Sequence, residues 1–274
     1  MHMLICTIGS KQRKSTLQFA QEVARALSAE VTLLGINRRK ASTEPLEQLL
    51  DKAAVELAEA GLTVQVKLEL GNPEDIVIAE MAAAIYDLVA LGALGKQRSQ
   101  HRFLSSVAMR IVEHATSSVL IVKGSRPSLS RVLICASGTE QCHLPVWAGA
   151  ALACGAEAQA TVLHVIDALP SMYTGLEQME ETLAELLQSD TDKSRELKWA
   201  AQVVKAECEV SELKLRRGIV ADEVLREGML GDHDLIVLGS SRSSGGIVRV
   251  LLGDLTREIV TRASRPVLVV RPSD

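Results

Sequence analysis

Aromatic residues are scarce in this chain: two Trp, two Tyr and two Phe among 274 residues, scattered along its length. That scarcity, with a formal net charge of only -4, leaves no cationic stacking platform and excludes nucleic acid as a natural partner. No uninterrupted apolar stretch approaches the ~20 residues of a bilayer span, so an integral membrane protein is not expected. The opening residues Met1-His2-Met3-Leu4-Ile5-Cys6 carry no charged leader ahead of a long apolar core, so a secretory signal is not expected either. The five cysteines are an odd number and none stands in Cys-x-x-Cys spacing. A disulfide framework and a zinc site are therefore disfavoured, and a reducing cytoplasm fits. A serine elbow, a His-Glu-x-x-His pair and a Walker loop are all missing.

What the chain does have is a repeat. Leu4-Ile5-Cys6 recurs as Leu133-Ile134-Cys135, and Asp87-Leu88-Val89-Ala90-Leu91-Gly92 recurs as Asp234-Leu235-Ile236-Val237-Leu238-Gly239. Val119-Leu120-Ile121-Val122 recurs as Val267-Leu268-Val269-Val270, each followed by a basic residue and then a proline. Three anchors in the same order predict two tandem copies of one fold, residues 1–126 and 129–274, joined near Ser125-Arg126-Pro127-Ser128. Charge divides unevenly between them. Residues 1–128 hold 15 Lys and Arg against 13 Asp and Glu, and the remainder holds 15 against 21.

Each copy alternates short β-branched runs with amphipathic segments. Val31–Ile36, Val64–Leu70, Leu88–Leu91 and Val119–Val122 are brief and uniformly apolar enough to read as buried strands of a parallel sheet. Leu46, Leu49, Leu50, Ala53, Leu57 and Ala60 share one helical face, which Gly61 terminates. The alternation predicts an α/β fold: two flavodoxin-like domains, each with a five-stranded parallel sheet between helices. The spacing between repeated anchors grows from 129 to 147 residues, so the second copy carries 18 more, placed in Pro170–Lys198 as a longer helix or helical pair. The closing strands Val119–Val122 and Val267–Val270 are apolar edges needing cover, which pairing across a pseudo-twofold axis would supply.

Ligands of open α/β sheets sit beyond the carboxyl ends of the strands, where the loop after the fourth strand matters most. In copy one that loop starts at Gly92-Ala93-Leu94-Gly95 and ends at Ser105-Ser106-Val107. Gly92 and Gly95 let backbone N–H groups approach an anion, and Ser105 and Ser106 stand where a helix begins. His164, within an apolar strand, reads as a satisfied or edge-facing strand residue. His143 beside Cys142 lacks the further ligands a metal needs.

The run Asp234 to Ser240, Leu251-Leu252-Gly253 before a helix, and the closing Arg265-Pro266-Val267-Leu268-Val269-Val270 resemble the universal stress protein family, twice over the whole chain. The resemblance implies cytoplasmic, flavodoxin-like proteins, related to the adenine nucleotide α-hydrolases, that dimerise through their last strands. Some of them bind ATP through Gly-x-x-Gly, nine residues, then Gly-Ser or Gly-Thr. It therefore implies an adenine nucleotide, ATP or ADP, as ligand, turned over slowly if at all. On that pattern Gly92, Gly95, Ser105, Ser106 and Val107 form the phosphate end in copy one. Gly239, Arg242, Gly253 and Asp254 form it in copy two, where Arg242 replaces a glycine and Asp254 a hydroxyl residue. A triphosphate beside Asp254 would need a bridging Mg²⁺; otherwise Asp254 caps the next helix. The nucleoside end falls to Ile36 in copy one, and to Ser137 and Val165 in copy two. Ile8 and Ser137 occupy the position of the family's nucleoside-contacting Asp. The alternative is a scaffold that acts only through protein partners, with a homodimer also open.

Overall fold

The computed structural model describes residues 1–8, 13–37, 44–93, 106–124, 126–167, 182–208, 211–240 and 253–272. In the first half β1 (His2–Ile8), α1 (Arg13–Ala26), β2 (Glu30–Asn37), α2 (Glu44–Glu59) and β3 (Val64–Leu70) are followed by α3 (Pro73–Ala83), β4 (Leu88–Gly92), α4 (Ser106–His114) and β5 (Ser118–Val122). The second half repeats the plan with β6 (Arg131–Cys135), α5 (His143–Gly155), β7 (Gln159–Asp167), α6 (Leu183–Gln188), α7 (Asp192–Glu207) and β8 (Ser211–Gly218). It ends with α8 (Val220–Leu230), β9 (Leu235–Gly239), α9 (Asp254–Arg262) and β10 (Val267–Val270). The additional length of this half shows as α6 ahead of α7, whereas the first half has α2 alone; the rest of Pro170–Lys198, residues 170–181, lies outside the described residues. Gly61 lies just past α2 at φ +82°, the left-handed conformation that ends a helix cheaply only with glycine.

The strands form one ten-stranded sheet in the order β3-β2-β1-β4-β5-β10-β9-β6-β7-β8. Five strands run parallel within each half, as the alternation predicts. The closing strands pair with each other, as their apolar edges lead one to expect: β5 and β10 run antiparallel, Leu120 opposite Leu268, so the two five-stranded sheets merge into one continuous mixed sheet. The reason is the apolar character of both closing strands, whose ladder groups would otherwise be exposed edges.

Period-two alternation divides the strand residues between two apolar layers. Met3, Ile5, Leu33, Ala90, Ile134 and Val237 face α1, α2, α5 and α7. Leu4, Leu34, Val89, Leu133 and Ile236 face α3, α4, α8 and α9. Each layer runs unbroken through both halves. Where α1 meets α5 the fit is tight: a Cβ on Gly155 would lie 1.8 Å from the Ala26 carbonyl oxygen.

Val64–Leu70 is a correction to the buried-strand reading. β3 is an outer strand with no fully buried position, as is β8 in the other half. Lys67, Glu69, Glu212, Lys214, Arg216 and Arg217 place charge along these two edges, which discourages further strand pairing.

The basic residue after each closing strand crosses to the other half. Buried Lys123, following β5, donates through Nζ to the carbonyls of Val260, Thr261 (3.2 Å) and Ala263 (3.0 Å) at the end of α9. Arg271, following β10, donates to the carbonyls of Ala115 and Val112 (2.7 Å) at the end of α4. Each cation meets the negative pole of a helix and satisfies carbonyls that have no intrahelical donor.

Candidate functional site

With this strand order the chain reverses direction about β1: the first crossover leads from β1 to β2 on one flank, and the crossover after β3 leads to β4 on the other. The carboxyl ends of β1 and β4 therefore flank a crevice, and those of β6 and β9 flank its counterpart. Gly92 ends β4, and Ser106 and Val107 open α4 on the same rim. Gly92 has a steric reason to lack a side chain: a Cβ would sit 2.7 Å from Oγ1 of Thr16, a buried α1 residue. The Ala93 N–H is already given to the Val122 carbonyl, which fixes where the loop leaves the sheet. The first turn of α4 contains no acidic residue, so no carboxylate of that turn offsets the positive pole of the helix. Ile36 is fully buried, whereas Thr7 Oγ1, near the end of β1, is buried without a hydrogen-bond partner among the described residues. Gly95 and Ser105 lie outside the described residues.

The second crevice differs in chemistry. Gly239 ends β9 and its carbonyl accepts from Thr256 Oγ1 at 3.2 Å. The N-cap of α9 is Gly253 rather than Asp254, which is the exposed first residue of the helix. Its carboxylate suits the helix dipole and opposes a second anion at that pole. Ser240 donates its N–H to the Val270 carbonyl, as Ala93 does to Val122, but its hydroxyl is buried without a partner among the described residues. Ser137 is exposed and its Oγ lies 2.8 Å from Thr139 Oγ1; Val165 is half-buried near the end of β7. Arg242 lies outside the described residues.

Two residues that pattern reading passes over, Thr16 and Lys193, complete these rims together with His164. Thr16 closes on Gly92 from α1. Lys193 and His164 close on Gly138, whose Cβ would lie 2.8 Å from Lys193 Cγ and 3.2 Å from His164 Cε1. Gly138 itself has φ +72°, a turn conformation natural to glycine. His164 is buried in β7, an internal strand, so the edge-facing reading does not apply. Its Nδ1 lies 2.8 Å from the Ala136 carbonyl, which makes that nitrogen the protonated one and leaves Nε2 bare. Burial pulls its pKa below the ordinary histidine value, so the ring is neutral. The only sequence clue to Lys193 is the extra length ahead of it.

His143 is engaged elsewhere: Nε2 lies 2.6 Å from Glu196. Among the described residues no group of three or more His, Cys, Asp or Glu is arranged to hold a metal ion. Burial pushes the Cys135 thiol up to about 12 and raises Cys6 further, so both are inert. A groove of about 630 Å³ lies away from either crevice, along edge strand β8, where Lys214 and Arg216 are already bound to Glu227. No helix among the described residues is long and apolar enough to cross a membrane.

The family model of the universal stress proteins matches this chain twice, at residues 1–123 and 129–271. The chain belongs to the universal stress protein family. A universal stress protein of Methanocaldococcus jannaschii is 29% identical over 118 residues, which cover 42% of this chain and 66% of that relative, just under two thirds of its length. Among solved structures, a universal stress protein from Archaeoglobus fulgidus DSM 4304 superposes with a TM-score of 0.70 at 18% identity, covering 98% of both chains. A protein assigned to the same family from Pseudomonas aeruginosa UCBPP-PA14 gives 0.72 at 19% identity, covering 100% of this chain and 94% of the other. These likenesses establish a shared fold along the whole tandem chain. The ligand has to be argued from the residues on the two rims.

Proposed function

We propose that this universal stress protein binds an adenine nucleotide, ATP or ADP, in the crevice of its first half and acts as a ligand-dependent regulator of the stress response in the cytoplasm. The observation that carries the reading is the pairing of a side-chain-free strand end, Gly92, with a helix whose first turn holds no acid. Both stand at the topological switch point, where main-chain amides and the positive pole of α4 favour a polyphosphate. The second crevice is the poorer candidate. Asp254 opens its helix, and a triphosphate there would require Mg²⁺. The two halves form an intramolecular pseudo-dimer on this reading, with the closing strands already paired to each other. A homodimer would then use a different surface.

Titration calorimetry of the whole chain with ATP, with and without Mg²⁺, tests the proposal. Binding is expected with the parent and with Asp254→Ala, and is expected to vanish when Gly95→Val and Ser106→Asp are combined. Binding that survives the double variant and disappears with Asp254→Ala would move the site to the second half. No heat under any condition supports the rival scaffold reading, which Ile8 favours because it offers a nucleoside no polar group. The missing contact alone costs about 1 kcal/mol or somewhat more, close to a tenfold loss of affinity rather than abolition. ADP formation over hours measures turnover, expected to be slow or nil.

A further inference from the structure

α5 and α7 lie side by side on one face of the sheet, and their seam can be followed residue by residue. At its start His143 Nε2 is 2.6 Å from Glu196, and its ring packs on Trp199 with centroids 4.0 Å apart. One turn further Trp147 meets Trp199 edge-on at 6.1 Å. Further along, the Ala150 carbonyl accepts a hydrogen bond from Sγ of buried Cys208, just past the end of α7, at 3.6 Å. The next turn of α5 brings exposed Cys154.

Ala150 and Cys154 are four residues apart, and helix geometry makes that spacing decisive. The carbonyl of residue i receives the N–H of residue i+4, and a γ atom on residue i+4 in one staggered χ1 well reaches the same carbonyl. Cys208 Sγ already sits on that oxygen. Rotation about a single bond of Cys154 therefore brings a second sulfur to the same oxygen, and the two thiols are near enough to feel each other's charge. The other three cysteines have no such partner site: Cys6 and Cys135 lie in strands of different halves, and Cys142 is buried at the opposite end of α5.

We propose that Cys154 and Cys208 are a redox pair that closes to an intramolecular disulfide when the protein meets a peroxide. Cys154 is the exposed partner and reacts first: its thiolate displaces hydroxide from hydrogen peroxide, which leaves as water, and becomes a sulfenic acid. Cys208 then attacks that sulfur as its thiolate; the S–O bond breaks and a second water leaves. The two thiols lose two electrons and two protons in all, and one peroxide is reduced to two waters. Burial raises the Cys208 thiol, which slows its attack on the sulfenic acid. The bond would tie α7, with Lys193 and Glu196 near its start, to α5, and so hold the cover over the loop at Gly138. The pair stands independently of the nucleotide reading.

The test uses the full chain, reduced and then exposed to equimolar hydrogen peroxide without denaturant, alkylated, and digested with trypsin and Glu-C for mass spectrometry. A linked pair of peptides joining Cys154 to Cys208 is expected, with a loss of two hydrogens from the intact mass and full reversal by dithiothreitol. Cys154→Ser, at an exposed position, is expected to abolish the link while leaving the thermal midpoint of the reduced protein unchanged. Oxidation is expected to raise the midpoint by several degrees in the parent and not in this variant. The proposal is overturned if Cys154 proceeds to sulfinic acid, or links two chains, while Cys208 stays free for alkylation after unfolding.

Discussion

Replacing Lys123 with Met tests the joint between the two halves through pH. The ammonium is 2% exposed and surrounded by carbonyls of α9, and burial pulls its pKa from the ordinary 10.5 to about 8. Below pH 8 the folded and unfolded chains both carry the proton, and the cost of burying the charge is present in full. Between 8 and 10.5 the folded chain gives up its proton first, so the unfolded chain binds more protons and stability rises with pH. At 1.36 kcal/mol per pKa unit, the gain between pH 7 and pH 9.5 is about 2 kcal/mol. Buried thiols act in the opposite sense. Cys6, Cys135, Cys142 and Cys208 are all raised above the ordinary 9, so from about that pH the unfolded chain releases protons that the folded chain keeps. The raw curve therefore mixes two signs. Subtracting the Lys123→Met curve removes the thiols, which both proteins share, and leaves the lysine. Urea unfolding at half-unit pH steps should show the parent gaining on the variant by about 2 kcal/mol over that range. A flat difference, or one that runs the other way, would refute the reasoning. The offset at pH 7 does not decide the matter, since the loss of hydrogen bonds to carbonyls and the relief of a buried charge oppose each other there.

Gly155→Ala should cost more stability than Gly149→Ala in the same urea assay, because the new Cβ meets the Ala26 main chain at 1.8 Å in one case and the movable Ile134 side chain at 2.5 Å in the other. Overpacking of this kind costs about 1–3 kcal/mol, and the backbone case belongs at or above the upper end. Glu227→Gln should destabilise the chain by about 3–5 kcal/mol near neutral pH, since the carboxylate is 1% exposed and holds Lys214 at 3.0 Å and the Arg216 Nε at 2.8 Å. Burial would raise the Glu227 pKa, but hydrogen bonds from Arg216 and Lys214 leave it below the ordinary 4.5. Its contribution is therefore complete above pH 4.5 and is lost as pH falls through the folded value, so parent and variant should converge in acid.

The repeat, the α/β alternation and most element positions are legible in the sequence, because strand cores such as Leu88–Leu91 and Val119–Val122 are contiguous apolar runs and Gly61 marks a helix end. What is not legible depends on order in space. Val64–Leu70 has the composition of a strand, and only its place in the sheet makes it an edge. Both tryptophans look scattered at positions 147 and 199, yet they meet because α5 and α7 are neighbours on one face. The same placement brings Lys193 over Gly138, a contact no spacing rule announces. Motif spacing points to the candidate phosphate loops, whose residues 94–105 and 241–252 lie outside the described residues.

Duplication and divergence together give the proposed regulation a physical route. α4 is nine residues long, about 13 Å, and its two poles face different parts of the chain. Its N-terminus opens on the first crevice, and its C-terminal carbonyls are held by Arg271 from the second half. An anion at one pole and a guanidinium at the other both favour the helical form of α4, so on the proposed reading a nucleotide that orders its start would also steady the carbonyls that Arg271 holds at its end. The reciprocal helix, α9, has Lys123 at its C-terminus but Asp254 where the anion would sit. A carboxylate in that first turn opposes a second anion. On the proposed reading, a ligand in the first half would be felt by the second through Arg271 and β10, while Asp254 disfavours the reverse.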